Sequence, residues 1–176
     1  KTLDVQTTAE PLKLDLPITR AGVYLVEVEG QDRLGRAQVV SVDLYAAGDE
    51  PVGWAPPEAG TFKATPDKGS HTPGETARLV LESPYQSGHA LVIVEAPDRN
   101  RYFTVPVAAG QAVVSVPIER AFTPRVPVHV LLMRGRTEAP EPTGGATVDL
   151  GRPDRVATTV WLPVQPTDHQ IGLALT

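Results

Sequence analysis

The sequence predicts an all-β protein built as an antiparallel β-sandwich, with part of a second sandwich ahead of it. Apolar and polar residues alternate with a period of two through most of the chain. The alternating segments begin or end at Pro, Gly, Asp or Asn and recur about every dozen residues, which is typical of a Greek-key sandwich rather than of βαβ units. No window shows a sustained helical period behind an N-cap, so we expect very little helix.

Residues 1–49 are expected to supply three strands. The alternating segments read PLKLDLPI from Pro11, GVYLVEVEG from Gly22 and RAQVVSVDLYAAG from Arg36. Gly35 lies between the last two, where a hairpin needs a positive φ. Three strands are fewer than a free sandwich usually has. We therefore interpret residues 1–49 as the closing strands of an incomplete domain and as the less stable half of the chain.

A Gly- and Pro-rich stretch, GDEPVGWAPPEAG from Gly48, separates this part from the rest. Proline and glycine interrupt both ladders and helices, so we assign residues 50–60 to a linker. Residues 61–166 are predicted to form a complete sandwich, and residues 167–176 to begin the next domain.

Seven strands are expected in the complete sandwich, which is the number found in immunoglobulin- and fibronectin-like domains. Each segment is short, alternating and bounded by turn residues. The segments are Phe62–Pro66, Thr76–Ser83, Ala90–Ala96, Arg101–Val107, Ala112–Ile118, Pro127–Met133 and Val156–Pro163.

The connection between the last two of these strands, residues 134–155, is unusually long. Glu138–Gly145 is rich in Pro, Gly and Thr and has almost no apolar anchor, so we expect a mobile, solvent-exposed loop. Arginines that offer bonds to trypsin-like proteases lie near both of its ends: Arg134, Arg136, Arg152 and Arg155. The alternative is simply a long loop between two strands, because loop tips are commonly cleavable whatever their role.

Composition and charge exclude several classes of function. The formal net charge is −5 and no basic stripe is present, so nucleic acid is not an expected partner. No apolar run is long enough to span a bilayer, so we expect no membrane insertion by this fragment. Lys1–Asp4 does not begin a signal peptide, and an export signal would lie outside the fragment.

Neither a catalytic site nor a cofactor or metal site is expected. The four histidines lie far apart, without metal-ligand spacing, and we interpret them as surface or strand-end residues, with His129 partly buried. Asp67, Asp98, Asp154 and Asp168 could be calcium ligands, but turn and cap positions explain them better. No nucleophile elbow and no phosphate-binding loop occur.

Several stretches, taken in order, resemble the middle of bacterial alpha-2-macroglobulins. They read FKATPDKGSHTPGETARLVLESPY from Phe62, ALVIVE, VPVAAGQAVVSVPI, PVHVLLMRG and finally VATTVWLPVQPTDHQIGLAL. In that family a macroglobulin-like sandwich starts with a strand, an Asp-Lys turn and a Tyr-x-Pro-Gly turn, and here His71 stands where Tyr is usual. Asp67, Pro73 and Gly74 fit this role as turn residues, so the stretch is scaffold.

The resemblance implies a non-enzymatic part of a periplasmic or cell-envelope protein that traps proteases. Its implied partners are proteases, through the full-length protein, and neighbouring macroglobulin-like domains. Family members that trap covalently use a Cys-x-x-Gln thioester in a separate domain, and this chain contains no cysteine. The resemblance also places the chain in or beside the bait region, the exposed segment whose cleavage triggers collapse.

A second hypothesis is a spacer or ligand-binding module of an adhesin or a polysaccharide-active protein. Trp54, in the linker, would then be an exposed platform for a sugar. Trp161, in the last strand, is expected to fill the sandwich core or the junction between domains. Aromatic residues make up only 5% of the chain, which does not favour a carbohydrate-binding surface.

Overall fold

A computed structural model describes residues 2–6, 10–54, 60–139, 141–143, 146–149 and 151–167. Within these ranges the chain forms eleven strands and one 3₁₀ turn, Arg120–Phe122. The strands are β1 (Gly22–Gln31), β2 (Ala37–Ala46), β3 (Lys63–Pro66), β4 (Thr76–Glu82), β5 (Ser87–Glu95), β6 (Asn100–Ala108), β7 (Gln111–Pro117), β8 (Arg125–Arg134), β9 (Glu141–Thr143), β10 (Ala146–Val148) and β11 (Asp154–Pro163). No helix in the described ranges is long and apolar enough to cross a membrane.

Strands β1 and β2 form a hairpin that is a sheet of its own. Asp32 closes its turn, because one carboxylate oxygen accepts the N–H groups of Leu34 and Arg36 at 2.8 and 3.0 Å. These backbone bonds and the Arg36 side chain hold the pKa of Asp32 below its ordinary value. Gly35 has a φ of +75°, which confirms the predicted left-handed position.

The prediction of a third strand in this half of the chain, at Pro11–Ile18, is wrong. The backbone there is irregular, and the four apolar side chains are 41–54% exposed: Leu12, Leu14, Leu16 and Ile18. An alternating pattern marks an amphipathic segment, but a strand also needs a neighbour to share its ladder. Pro11 and Pro17 further remove two of the N–H donors that a ladder would use.

Seven strands, all except β1, β2, β9 and β10, form the predicted sandwich, in the order β11-β8-β5-β6-β7-β4-β3. All pairs are antiparallel, and the pair Ala108↔Gln111, at the turn between β6 and β7, joins a four-stranded layer to a three-stranded one. The outer edges also approach each other, since the N–H of Ala157 in β11 donates to the carbonyl of Gly60 just before β3. The result is a sandwich that is nearly closed.

The core lies between these two layers, and the period-two pattern of the sequence decides which residues enter it. Alternate residues of β4 and β8 are buried, and Leu79, Leu81, Leu132 and Leu162 have no more than a trace of exposed surface. Truncation of such a leucine to alanine costs about 2–5 kcal/mol. The seven strands predicted for residues 61–166 are confirmed, with shifts of up to three residues at their ends.

The described part of the predicted linker packs on the turn between β6 and β7. Val52 is buried and its N–H donates to the carbonyl of Ala109, while the Trp54 indole donates to the carbonyl of Gly110 at 2.8 Å. The Gln111 side chain binds the chain just before them, at residues 48–50. Linker residues 55–59 and the expected next domain at residues 168–176, with Asp168 and His169, lie outside the described residues.

Candidate functional site, a hairpin arm between β8 and β11

The long connection after β8 has structure of its own. β8 extends to Arg134 and β11 begins at Asp154, so the connection itself comprises residues 135–153, which we call the arm. Strands β9 and β10 pair antiparallel within it, in the register Ala146↔Thr143. The arm therefore carries a short hairpin of its own, separated from the β8–β11 ladder by described residues without regular structure, 135–139, 149 and 151–153.

An ion pair spans the base of the arm. Arg136 donates two hydrogen bonds to the two carboxylate oxygens of Asp149, at 2.6 and 3.0 Å. This contact raises the pKa of Arg136 and lowers that of Asp149, because each charge stabilises the other. Both side chains are partly exposed, at 44% and 30%, so water screens the pair and its contribution to stability is modest.

Backbone contacts reinforce the base. The N–H of Thr137 donates to the carbonyl of Gly151 at 3.0 Å. The two chain segments at the base are so close here that a Cβ on Gly151 would lie 2.5 Å from both the backbone N and the backbone O of Glu138. Glycine is thus required at position 151 by the close approach of backbone to backbone.

Arg134 anchors the arm to the sandwich. Its guanidinium lies 5.3 Å from the centre of the Tyr85 ring, and its Nη2 donates to the carbonyl of Arg152 at 2.9 Å. Burial and the nearby Asp154 carboxylate raise the pKa of Tyr85 to about 12. Tyr85 is therefore a neutral platform under the arginine at any physiological pH.

The four arginines singled out from the sequence lie at the base of the arm. Arg134 pairs with Asp154 at the end of the β8–β11 ladder, and Arg155 lies inside β11. Arg136 belongs to the ion pair with Asp149, and Arg152 has an exposed side chain ahead of Pro153. The structure thus gathers all four into one region and puts none of them on β9 or β10.

Sequence reasoning missed the partners Asp149 and Gly151 and the hairpin itself. A usable indication was present, because Gly144-Gly145 is a two-residue turn sequence of the kind that closes β-hairpins. The residues before and after it, Thr143 and Ala146, are the first pair of the β9–β10 ladder.

The turn that opens the sandwich acts as scaffold, as expected. Gly74 has a φ of +93°, and its neighbour Glu75 accepts the N–H of Thr72 and the Lys68 ammonium at 2.9 and 2.8 Å. His71 differs from the prediction, because it is 1% exposed instead of lying at the surface. Its ring packs inside the turn, and its Nδ1 has no hydrogen-bond partner among the described residues.

His129 is half-buried as predicted. It lies 2.9 Å from both the Thr159 hydroxyl and the Glu95 carboxylate on neighbouring strands. In the described ranges no group of three or more His, Cys, Asp or Glu residues is arranged to hold a metal ion. The arrangement of His129 is explained by cross-strand hydrogen bonding on an open sheet face.

The two tryptophans lie in different environments. Trp161 was expected to fill the core or the junction between domains, and the core is excluded because it is 51% exposed on the outer face of β11, with the Arg125 guanidinium 4.4 Å from its ring centre. It points outward because the buried alternate positions of β11 are taken by residues such as Leu162. Trp54 is half-buried, with its N–H bonded to Gly110 and its ring 6.5 Å from that of Tyr45.

Comparison with known proteins adds an independent finding. Residues 62–176 match the family model described as the alpha-2-macroglobulin bait region domain, and this range contains the whole sandwich and the arm. An alpha-2-macroglobulin homolog from Deinococcus radiodurans is 28% identical over 128 residues. The match covers 70% of this chain and 12% of that relative, so the chain spans a small part of the relative's length.

Proposed function

Since this chain belongs to the alpha-2-macroglobulin family, we propose that it is the bait-bearing section of a broad-spectrum protease-trapping inhibitor. In this proposal the sandwich is a non-enzymatic scaffold and the arm is the bait, the segment that a protease cuts. Cutting the arm then releases a large motion of the parent protein, which encloses the protease. The partners are endoproteases and the neighbouring macroglobulin-like domains.

The observation that supports this function best is the position of the arm within the matched range. Residues 62–176 match a bait region domain, and the arm is the longest connection of the sandwich in that range. Its outer half is a pair of three-residue strands, which carries little stabilisation of its own. Proteases cut segments that open locally, and such a hairpin opens more readily than the strands of the core.

The proposed place of action is the periplasm or the cell envelope, where a secreted protease would be met. The section itself carries out no reaction and needs no cofactor. The second hypothesis, a spacer or sugar-binding module, has lost its main support because Trp54 is packed and bonded within the junction.

The test uses the full-length parent protein and a variant in which residues 139–148 are replaced by a two-residue Asn-Gly turn. Both are incubated with a protease that cuts the arm, and small-angle scattering is recorded before and after. Trapping is measured as loss of activity on a large protein substrate with retained activity on a small peptide.

We expect the parent to be nicked in the arm, to become more compact and to shield the protease from large substrates, and the short-arm variant to do none of these. A parent that is nicked in the arm and keeps its shape would leave the chain with a scaffold role alone. The same conclusion would follow if the short-arm variant still traps.

A further inference from the structure

The outer face of the four-stranded layer, formed by β6, β5, β8 and β11, is apolar at its centre. Leu91 on β5 lies directly opposite Leu131 on β8, and both side chains are half-buried. Paired residues of a ladder share a face, and so do residues two positions apart on one strand. We call the apolar set on this face the outer patch: Leu91, Ile93, Tyr102, Leu131, Met133 and Trp161. Its three largest exposed fractions are 63%, 51% and 38%, at Tyr102, Trp161 and Met133.

The charged residues of this face lie at its ends. Glu95 ends β5, Arg125 begins β8, and Arg155 is the second residue of β11. Nearer the centre, the two ring nitrogens of His129 lie 2.9 Å from the Thr159 hydroxyl and the Glu95 carboxylate, so its polar atoms have partners within the face. An apolar centre with a polar rim is the composition of a protein–protein contact surface.

The outer face of the three-stranded layer provides a comparison within the same molecule. It carries an ion pair between Lys63 and Glu82 at 3.4 Å, and it places Arg78 opposite Ser115. Polar residues at such outward positions are normal for a sheet face in contact with water. The outer patch departs from this pattern, and contiguous exposed apolar surface commonly marks a binding site.

The size of the face decides between a partner that diffuses freely and one on the same polypeptide. Four strands about 4.8 Å apart and four rows about 6.8 Å apart give a face of roughly 300–500 Å² when the side chains at its margins are included. A standard stable complex buries about 800 Å² on each side. Interfaces between domains of one polypeptide bury about 600–1,500 Å² in total, hence about 300–750 Å² on each side. The face therefore fits a tethered partner and is too small for a stable dimer.

A tethered partner also needs less affinity. Attachment to the same polypeptide raises the effective concentration of a neighbouring domain to the mM range, at which a weak apolar contact is formed most of the time. The matched segment makes up 12% of the alpha-2-macroglobulin homolog, so a parent of similar length has room for many further domains.

We propose that the outer patch is the docking surface for another domain of the same polypeptide. That domain presents an apolar face without charges to Leu91, Ile93 and Leu131, because a charge placed opposite them would lose its water without gaining a partner. Docking fixes the orientation of the sandwich in the intact parent. The choice of partner rests on the proposed function, in which the chain is a section of a longer protein.

The experiment compares the accessibility of the two outer faces in this chain and in the full-length parent. The chain contains no cysteine, so a single introduced thiol reports on its own position. Thr104→Cys places the thiol opposite Leu91 on the proposed docking face, and Ser115→Cys is the matched control on the opposite face. Both residues are exposed and lie within a strand. The rate of maleimide labelling is read at each site by peptide mass spectrometry.

We expect the two thiols to react at similar rates in this chain. In the parent, Thr104→Cys should react at least about tenfold more slowly, as for a face that is covered about nine-tenths of the time, whereas Ser115→Cys should change by less than about twofold. Oxidation of Met133 by hydrogen peroxide, followed without any substitution, should slow in the same way. Equal labelling of Thr104→Cys in chain and parent would overturn the proposal.

Lysine substitutions in the parent that carries Thr104→Cys test the patch itself. Leu131→Lys puts a charge at the centre of the docked surface and should restore the labelling rate of this chain. Val80→Lys is the matched control, because Val80 is a half-buried outward residue of β4 in the other layer. Met133→Lys, at a more exposed position, repeats the test without burdening the fold. Labelling that stays slow in Leu131→Lys and Met133→Lys would contradict docking on this patch.

Two further outcomes identify other occupants and other failures. Labelling of Thr104→Cys that slows in this chain alone as its concentration rises would assign the patch to a second copy and overturn the proposal. A parent that traps proteases while its patch is freely labelled would overturn the docking alone. A parent whose patch is protected but which does not trap would contradict the proposed function and leave the docking intact.

Discussion

The Nε2 of His71 lies 3.0 Å from the Oδ1 of Asp67, and the same oxygen accepts the N–H of Arg78 at 3.0 Å. The backbone of His71 in turn joins the end of β11 and the residues after it, since its N–H donates to the carbonyl of Pro163 and its carbonyl accepts the N–H of Gln165. One carboxylate therefore fixes both the turn between β3 and β4 and the buried ring of His71, whose backbone connects this turn to the end of the sandwich.

Asp67→Asn should destabilise the sandwich by about 0.5–1.5 kcal/mol at pH 7. The amide can still accept one hydrogen bond, but the charge that strengthens the contacts with His71 and Arg78 is lost. Chemical denaturation monitored by tryptophan fluorescence measures the difference. Asp43→Asn, on the exposed face of β2, is the matched control and should change stability by less than about 0.5 kcal/mol.

The same carboxylate predicts a pH dependence. Partial burial opposes ionisation of Asp67, but its hydrogen bonds with Arg78 and His71 outweigh it and hold its pKa below the ordinary value. The folded state therefore binds this proton less readily than the unfolded state, whose Asp titrates near pH 3.9. The stabilisation is complete above that value and is lost as pH falls through the lowered folded pKa.

The wild type should accordingly lose stability more steeply than Asp67→Asn as pH falls from about 5 towards 3. Unfolding midpoints in a denaturant, measured for both proteins across this range, test the difference in slope. Parallel curves would mean that Asp67 has the same proton affinity in the folded and unfolded states.

Gly88→Ala should be among the most damaging small substitutions in the chain. A Cβ at Gly88 would lie 2.4 Å from the carbonyl oxygen of Met133 on the neighbouring strand β8, so one of the two central strands must move. Forced displacement in a packed sheet costs about 1–3 kcal/mol. Gly30→Ala is the control, because no atom lies within 4 Å of its added Cβ. Equal unfolding midpoints for the two variants would contradict the close contact.

The strands of the sandwich could be predicted from the sequence because their partners lie within the chain. Alternation and bounding turn residues select the buried face, and the core formed as those patterns indicated. The same pattern failed at Pro11–Ile18, where no described strand completes a ladder. Local periodicity shows which face of a segment is apolar. Whether that segment forms a strand depends on a neighbouring segment that can pair with it.

The candidate site was only partly predictable. Proline, glycine and threonine correctly marked the region of the arm, but composition does not show which residues on its two sides face each other. Two contacts at the base depend on the register of the β8–β11 ladder, which ends directly beside them. They are the ion pair of Arg136 and Asp149 and the close approach at Gly151.

The β1–β2 hairpin should exchange its amide protons faster than the sandwich. Among the described residues its strands pair only with each other, and several large apolar side chains are more than half exposed: Val23, Leu25, Val28, Val39, Val40 and Val42. A two-stranded sheet without a core is marginally stable, so its amides open without global unfolding. Hydrogen–deuterium exchange with peptide mapping measures this. Protection of β1 and β2 equal to that of β5 and β8 would show that the hairpin is stabilised by contacts beyond its own ladder.

The last prediction concerns Gln111, which connects the hairpin to the sandwich. Its side chain, 5% exposed, accepts the N–H of Gly48 at 3.1 Å and donates to the carbonyls of Gly48 and Glu50 at 2.6 and 2.8 Å. The residues after these, Val52 and Trp54, dock on the same turn. The junction is thus a hydrogen-bonded contact, although composition predicted a linker.

Gln111→Ala should detach residues 48–50 from the turn between β6 and β7. Three hydrogen bonds are lost, but Gly48 and Glu50 are exposed and water can replace their partner, so we expect a loss of about 1–2 kcal/mol. Amide exchange at residues 48–54 should rise about five- to thirtyfold while β5 and β8 keep their protection, since about 1.4 kcal/mol corresponds to a factor of ten. Gln38→Ala, exposed on β2, is the control. Unchanged exchange at residues 48–54 in Gln111→Ala would mean that Val52 and Trp54 hold the junction without the glutamine.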